Sequence, residues 1–286
     1  MCPSRLGRSL LLALLVLLAL ACATGKSAAP PPLHPAAVRL QEEALALAPL
    51  DDAASLERAV ALLDEASRVE PRLYQARADR ALVELLVAAA RREGARLGSG
   101  DALMQSGRDL RERVLDDLRP LVREHAGDPA VVRALAVYYG LEGNAAQTAI
   151  LVARARAARG SDPWIDFAEE AAAVRNASPE TAALRLAAFA ASHSEVLRAR
   201  AMLARAQLDL SRTADALLTL DEILTANPGH DLAQELKART LAPPTASVTV
   251  VPPVPQDGPT PRPTGYLPHK PSSSSGDAAR GNPASP

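Results

Sequence analysis

The side chains best suited to catalysis or metal binding are scattered along this 286-residue chain. The five histidines, His34, His125, His193, His230 and His269, are isolated, and none of them forms the His-x-x-x-His spacing of metal ligands on a helix. The sequence also has no Gly-x-Ser-x-Gly elbow and no glycine-rich phosphate loop with its lysine. We therefore expect no bound metal and no cofactor, and we expect that the protein is not an enzyme.

The start of the chain has the layout of a signal peptide, with Arg5 and Arg8 before an apolar run from Leu10 to Ala21. A helix needs about 20 apolar residues to cross a membrane, and this run is shorter. Residues 1–21 are therefore predicted to be a leader that is cleaved off.

Cys22 is the residue whose position predicts a covalent modification. The segment Leu18-Ala19-Leu20-Ala21-Cys22 resembles the lipobox of bacterial lipoproteins, in which the cysteine is acylated and begins the mature chain. The lipobox implies acyl chains such as palmitate on Cys22, and these would hold the protein on a membrane. In the same family, Ala23 implies sorting to the outer membrane, with the protein facing the periplasm. The alternative is ordinary secretion, with Cys22 unmodified.

The charge balance argues against a nucleic-acid partner. The chain has 32 Lys and Arg residues against 33 Asp and Glu residues, and its formal net charge is −1. Binding along a phosphate backbone requires a basic surface. We therefore expect protein partners, and membrane contact through the lipid anchor.

Proline-rich segments flank the middle of the chain. Residues 22–35 are predicted to be a lipidated tether. Residues 242–286 contain half of the chain's 24 prolines and little apolar surface, so this tail is predicted to be disordered. It acts either as a passive spacer or as a docking segment, through Ser247 to Val251 or through Tyr266.

The middle, residues 36–241, has apolar residues three and four apart, which predicts an all-α domain. A pattern of small and large residues that ends in proline occurs twice: Ala59, Leu63, Ala66 and Pro71, then Ala216, Leu220, Ile223 and Pro228. A second pattern occurs once: Val132, Leu135, Ala136, Tyr139 and Gly143. These patterns resemble the second and the first helix of tetratricopeptide repeats (TPR), respectively.

The spacing of the prolines agrees with that resemblance. Pro129 to Pro163 and Ser194 to Pro228 both span 34 residues, the TPR period. Other steps are irregular, so we predict a degenerate TPR-like α-solenoid with an insertion around Gly94 to Gly100. The predicted hairpins are 36–70, 71–126, 129–160, 162–192 and 194–227, with a capping helix at 230–241.

Individual prolines predict where helices begin or bend. A capping residue followed by proline predicts a helix start at Asp128-Pro129, Asp162-Pro163 and Ser178-Pro179. Pro120 lies inside an otherwise helical pattern, so it is expected to kink or split the helix from Asp101 to His125.

The TPR resemblance implies that the protein binds other proteins, because TPR lipoproteins of Gram-negative envelopes often serve as assembly factors. The family lines a concave groove with its first helices, and Arg133, Arg198 and Arg205 lie on predicted first helices. They either meet a partner's carboxylates there or are simply solvated. Trp164 and Tyr138 are either exposed anchors for a partner or wedges in the core.

Two other functions are compatible with the sequence. The protein could be a structural periplasmic spacer whose tail contacts peptidoglycan or another envelope component. It could also be an enzyme whose site leaves no sequence motif.

Overall fold

The structure, a computed structural model, describes residues 31–159 and 162–242. The described residues form eleven α-helices and contain no strand, so this part of the protein is all-α. In chain order, the helices are α1 Pro35–Leu47, α2 Ala53–Val69, α3 Tyr74–Gly94, α4 Asp101–His125, α5 Pro129–Glu142, α6 Ala145–Arg159, α7 Pro163–Val174, α8 Pro179–Ser192, α9 Leu197–Asp209, α10 Thr213–Ala226 and α11 Asp231–Leu241. A 3-10 turn, Ala48–Leu50, follows α1, and a π-helical turn, Ala95–Ser99, follows α3.

The three helix starts predicted from capping residues followed by proline are confirmed. Asp128, Asp162 and Ser178 are the N-caps of α5, α7 and α8, and a proline occupies the first turn of each helix. The Asp128 carboxylate accepts a hydrogen bond from the Ala130 N–H at 2.8 Å. Each cap satisfies one backbone donor that the first helical turn leaves free.

Consecutive helices pair into hairpins: α1 with α2, α3 with α4, α5 with α6, α7 with α8, and α9 with α10. The first helices α3, α5 and α7 also pack on one another in that order. The core between them consists mainly of alanine, leucine and valine. Small side chains let the helices approach closely. A Cβ added at Gly140 on α5 would lie 2.5 Å from the Ala168 carbonyl oxygen on α7.

The second hairpin contains residues 94–100, where the sequence predicts an insertion, and its two helices are the longest in the described part of the chain. α3 has 21 residues and α4 has 25, and the π-turn between them contains Gly98 with φ +102°. The helix α4 runs unbroken through Pro120, so the predicted alternative of a split at this proline is wrong. A proline removes only one hydrogen bond of a helix, and the packing of Leu118 and Leu121 in the core holds the helix on both sides.

The last hairpin returns to the first. We call this contact the terminal clasp and define it by Asp51, Asp52, Arg198, Asn227 and His230. The Asn227 amide, at the end of α10, donates to the Leu50 carbonyl at 3.0 Å and to the Asp52 carboxylate at 2.7 Å. The two hairpins farthest apart in sequence are therefore joined directly.

None of the helices within residues 31–159 and 162–242 combines the length and the apolar character that crossing a bilayer requires. The predicted leader, Cys22, residues 22–30 of the predicted tether and all of the predicted tail after Ala242 lie outside the described residues.

Candidate functional site

A cleft lies where the insertion after α3 meets the fourth and fifth hairpins and α11. Its volume is about 310 Å³. The end of α3 with its π-turn forms one wall, the turn between α7 and α8 forms another, and α8, α9 and α11 complete the lining. We call it the arginine cleft, because Arg96, Arg175 and Arg205 are among its lining residues.

Most of the lining is apolar. The apolar lining residues are Leu97, Val174, Ala177, Pro179, Ala182, Leu186, Ala201, Met202, Ala206, Leu232 and Leu236. Leu97, Ala201 and Leu236 belong to a buried cluster that links the π-turn to the last helices. An alanine side chain ends at Cβ, so the alanines that face the cleft do not fill it. An apolar side chain that covered this lining would remove apolar surface from water, which is favourable in free energy.

Arg96 and Arg175 carry charge that the fold does not neutralise. Within the described part of the chain, neither guanidinium has a carboxylate at ion-pair distance. Burial lowers the pKa of Arg175 below its usual value, the nearby charges of Arg96 and Arg92 lower it further, and the charges of Glu142 and Glu93 offset part of this. A smaller cavity of about 50 Å³ is lined by all three arginines. Glu93 lines the smaller cavity too, and Arg92 is paired with Glu142, so Arg96 and Arg175 are the two guanidinium groups here that are available to an anion.

The two acidic side chains of the cleft are already engaged. The Glu93 carboxylate accepts a hydrogen bond from Arg198 Nη1 at 2.7 Å. Asp209 accepts one from Arg205 Nε at 3.2 Å, one helical turn away. Both still have acceptor capacity, because a carboxylate has two oxygens and about four lone-pair sites. The cleft thus presents cations at one side and hydrogen-bond acceptors elsewhere.

Arg175 lies in the turn inside the fourth hairpin, between α7 and α8. It is the C-cap of α7, and its N–H donates to the Ala171 carbonyl at 3.3 Å. The stem of its side chain lies against Gly143, which has φ +75° and no side chain. The Asn176 amide donates to the Gly143 carbonyl at 3.3 Å and fixes the two turns together.

Arg133 has a role inside the fold and does not face a partner as the sequence suggested. It forms ion pairs with Asp79 on α3 and with Asp162, the N-cap of α7, the latter at 2.9 Å. Gln41 on α1 donates to the other oxygen of Asp79 at 2.7 Å. These bonds tie α1, α3, α5 and α7 together.

Arg198 also departs from the expectation of a groove-facing residue, since only 1% of its side chain is exposed. It pairs with Asp51 at 2.8 Å and with Glu93 at 2.7 Å, and it donates to the Leu86 carbonyl at 3.0 Å. Burial lowers its pKa, but the two carboxylates raise it more strongly, so the net direction is upward. His230 Nε2 lies 3.6 Å from the second Asp51 oxygen.

Arg205 is the one predicted partner-binding arginine that lines the arginine cleft.

The residues that define the predicted repeat pattern lie mostly inside the fold. Eight of them are buried: Ala59, Leu63, Ala66, Val132, Ala136, Ala216, Leu220 and Ile223. Two more, Leu135 and Tyr139, are partly buried, and Gly143 ends α5. The two prolines, Pro71 and Pro228, are exposed just beyond the ends of α2 and α10.

The two aromatic residues with open interpretations belong to the core. Trp164 is 4% exposed and meets Phe167 edge to face, with ring centroids 5.8 Å apart. Tyr138 is partly buried and packs against the same core. Neither is an exposed anchor.

No group of three or more His, Cys, Asp or Glu side chains that could hold a metal occurs among the residues that the structure describes. His230 caps α11 by accepting the Ala233 N–H, and His125 stacks on Tyr74 with ring centroids 3.6 Å apart. These two histidines therefore have structural roles.

Sequence reasoning missed Arg96 and Arg175. Each lies just past the end of a helix, Arg96 in the insertion and Arg175 after α7. The only available signal was the insertion itself, since nothing in the sequence pairs residues that are 79 positions apart.

Comparison with known proteins identifies no relative: no family model matches the chain, and neither does any curated protein or solved structure.

Proposed function

We propose that this protein is a membrane-anchored protein-binding scaffold or assembly factor of the bacterial cell envelope. The observation that carries the proposal is the arginine cleft, which combines an apolar lining with two arginines that have no acidic partner in the described part of the chain. Such a combination suits recognition of a partner's side chains better than it suits a reaction.

The proposal includes a degenerate TPR-like repeat as the fold. Five hairpins with a final helix, and first helices that pack on one another, support it. A second support is a recurring surface position. Ile150 on α6, Leu184 on α8 and Leu218 on α10 are 61%, 72% and 65% exposed and lie 34 residues apart. This spacing equals the period of the repeat.

The binding surface differs from the one that the resemblance implied. Arg133 and Arg198 lie on first helices, but their charges are neutralised within the fold. We therefore assign partner binding to the arginine cleft, with Arg205 as the one residue common to both interpretations.

The proposed location is the outer membrane, with acyl chains on Cys22 and the helical domain facing the periplasm. A tether of about a dozen residues would let the domain stand away from the lipid surface. The tail beyond α11 would then be free to act as a spacer.

Cross-linking in cells, followed by mass spectrometry of proteins recovered from membranes, tests the proposal. The wild type is expected to fractionate with membranes and to recover one defined set of envelope proteins. Cys22→Ala is expected to leave the membrane and to lose that set. A wild-type protein that stays soluble and recovers nothing beyond the Cys22→Ala control would contradict the proposal.

A second variant separates a scaffold from a spacer. A chain that ends after Ala242 retains the whole arginine cleft, so a scaffold should recover the same partners. If this truncation alone abolishes recovery, the tail is the attachment point and the protein is a tether.

A further inference from the structure

We propose that the arginine cleft binds a peptide segment of the partner in which an aliphatic side chain is flanked by acidic residues. The aliphatic side chain would lie on the apolar lining, and a carboxylate would lie between Arg96 and Arg175. This inference rests on the proposed protein-binding function and names the chemistry of the partner segment.

The size of the cleft limits its occupant. A volume of about 310 Å³ is near the lower end of the roughly 300–1,000 Å³ range of clefts that take small ligands. It is too small for a whole amphipathic helix face, which needs a long groove with several anchor positions. One aliphatic side chain with its neighbours fits this space.

The charges at the cleft favour a carboxylate. Arginine presents a planar fork of donors that matches the two oxygens of a carboxylate, and such hydrogen bonds are stronger than those between neutral groups. Arg175 lies near the guanidinium groups of Arg96 and Arg92, and the nearby carboxylates of Glu142 and Glu93 influence it less. An anion at this position would relieve the repulsion between them.

The acidic residues of the cleft favour a peptide over a polyanion or a fatty acid. Glu93 and Asp209 would repel an occupant that carries negative charge along its whole length, whereas a peptide can place its carboxylates at the arginines alone. Their remaining acceptor sites suit the backbone N–H groups of a peptide, which a fatty acid does not have. The lining therefore offers a peptide contacts for its side chain, its carboxylate and its backbone.

The chain has a built-in reporter for the experiment. Met202 lines the cleft, whereas Met104 lies on α4, outside it. We would label the methionine methyl groups of the full chain with carbon-13 and record NMR spectra during addition of the peptide acetyl-Gly-Ser-Glu-Leu-Glu-Ser-Gly-amide. The Met202 signal should shift and the Met104 signal should not.

Two control peptides test each half of the chemistry. Replacing both glutamates of the peptide by glutamine removes the carboxylates, and replacing its leucine by serine removes the aliphatic group. Each change should weaken binding about tenfold, the effect of losing one hydrogen bond to a charged group or one buried aliphatic side chain. Equal binding of the glutamine peptide would overturn the inference, and so would tighter binding of octanoate than of the first peptide.

Variants of the protein locate the contact. Arg175→Gln and Arg96→Gln should each weaken binding of the first peptide about tenfold. Both side chains are exposed at the end of a helix or in a turn, so these variants should fold, as Trp164 fluorescence would check. Arg58→Gln is the matched control, because Arg58 lies on α2 with a 64% exposed side chain. It should bind like the wild type.

The outcomes distinguish this inference from the proposed function. If the wild type recovers its partners by cross-linking and Arg175→Gln recovers them equally well, the peptide inference is wrong and the scaffold function stands. If Met202 does not respond to the first peptide, the inference is also wrong. If the wild type recovers no partner, the scaffold function itself fails.

Discussion

Gly143 lies directly against the side chain of Arg175: a Cβ added at Gly143 would come within 2.5 Å of Arg175 Cγ and 3.0 Å of its Cβ. The glycine also has φ +75°, a conformation that side-chain-bearing residues rarely adopt. One residue therefore ends α5 and sets the direction of an arginine that belongs to the next hairpin.

We expect Gly143→Ala to reduce stability and cleft binding together. The left-handed conformation should cost about 1–2 kcal/mol for alanine, and the contact with Arg175 adds to that. Urea unfolding followed by Trp164 fluorescence measures the first effect, and titration of the acidic-aliphatic peptide measures the second. Gly94→Ala is the matched control, because Gly94 is helical and has open space around its Cα. It should leave binding unchanged and raise stability by about 0.5–1 kcal/mol. A loss of stability with no loss of binding would show that Gly143 does not position Arg175.

Gly140→Ala should destabilise the protein without straining the turn at Gly143, because Gly140 lies inside α5. The new Cβ would lie 2.5 Å from the Ala168 carbonyl oxygen and 2.9 Å from Ala168 Cα, which are backbone atoms that cannot rotate away. We expect α5 and α7 to move apart at a cost of about 1–3 kcal/mol. Urea unfolding measures the change, again beside Gly94→Ala. A variant as stable as the wild type would mean that this helix crossing is looser than the geometry indicates.

Arg198→Met should be strongly destabilising, because it leaves the buried Asp51 carboxylate without its cation. Removal of one partner from a buried ion pair typically costs about 3–5 kcal/mol. The double variant Arg198→Met with Asp51→Asn should recover part of that loss, since the unpaired charge is gone and asparagine tolerates the φ of +56° at this position. A double-mutant cycle by urea unfolding checks the coupling. Strictly additive losses would contradict it.

Glu70 should make stability depend on pH at the acidic end. The side-chain hydrogen bonds of Arg72 lower the pKa of Glu70 from 4.5 to about 2, against the opposing effect of burial and with help from the Arg72 and His34 N–H groups. A carboxylate with a lowered pKa contributes its stability above pH 4.5 and loses it as the pH falls to about 2. The stability difference between the wild type and Glu70→Gln should therefore shrink across this range.

Urea unfolding at several pH values measures that difference. Glu57→Gln, at an exposed position on α2, is the control for the loss of a carboxylate. If the Glu70→Gln difference stays constant between pH 4.5 and 2, the Arg72–Glu70 bonds do not stabilise the native state.

The helices were predictable because their signals are local. Asp128 followed by proline predicts the start of α5, and the glycines from Gly94 to Gly100 predict the break between α3 and α4. The continuation of α4 through Pro120 was not predictable from the sequence, because the helix is held there by the packing of the neighbouring leucines in the core. Local sequence does not encode such support.

The arginine cleft could not be predicted for a related reason. An arginine on a helix looks the same in the sequence whether it meets solvent, a partner or an internal carboxylate. Arg198 finds Asp51 at a separation of 147 residues, and Arg175 meets Arg96 only because the insertion returns toward α7. Those distances depend on how every hairpin between them packs.

The terminal clasp adds contacts between residues that are 147 to 177 positions apart to a fold otherwise built from neighbouring hairpins. A chain made from local hairpins can begin to fold as each hairpin is synthesised. Asp51, however, can pair with Arg198 only after about two thirds of the chain has been synthesised. Asp51 therefore lacks its cation until α9 has been made, and we expect the first hairpin to reach its final packing late in folding.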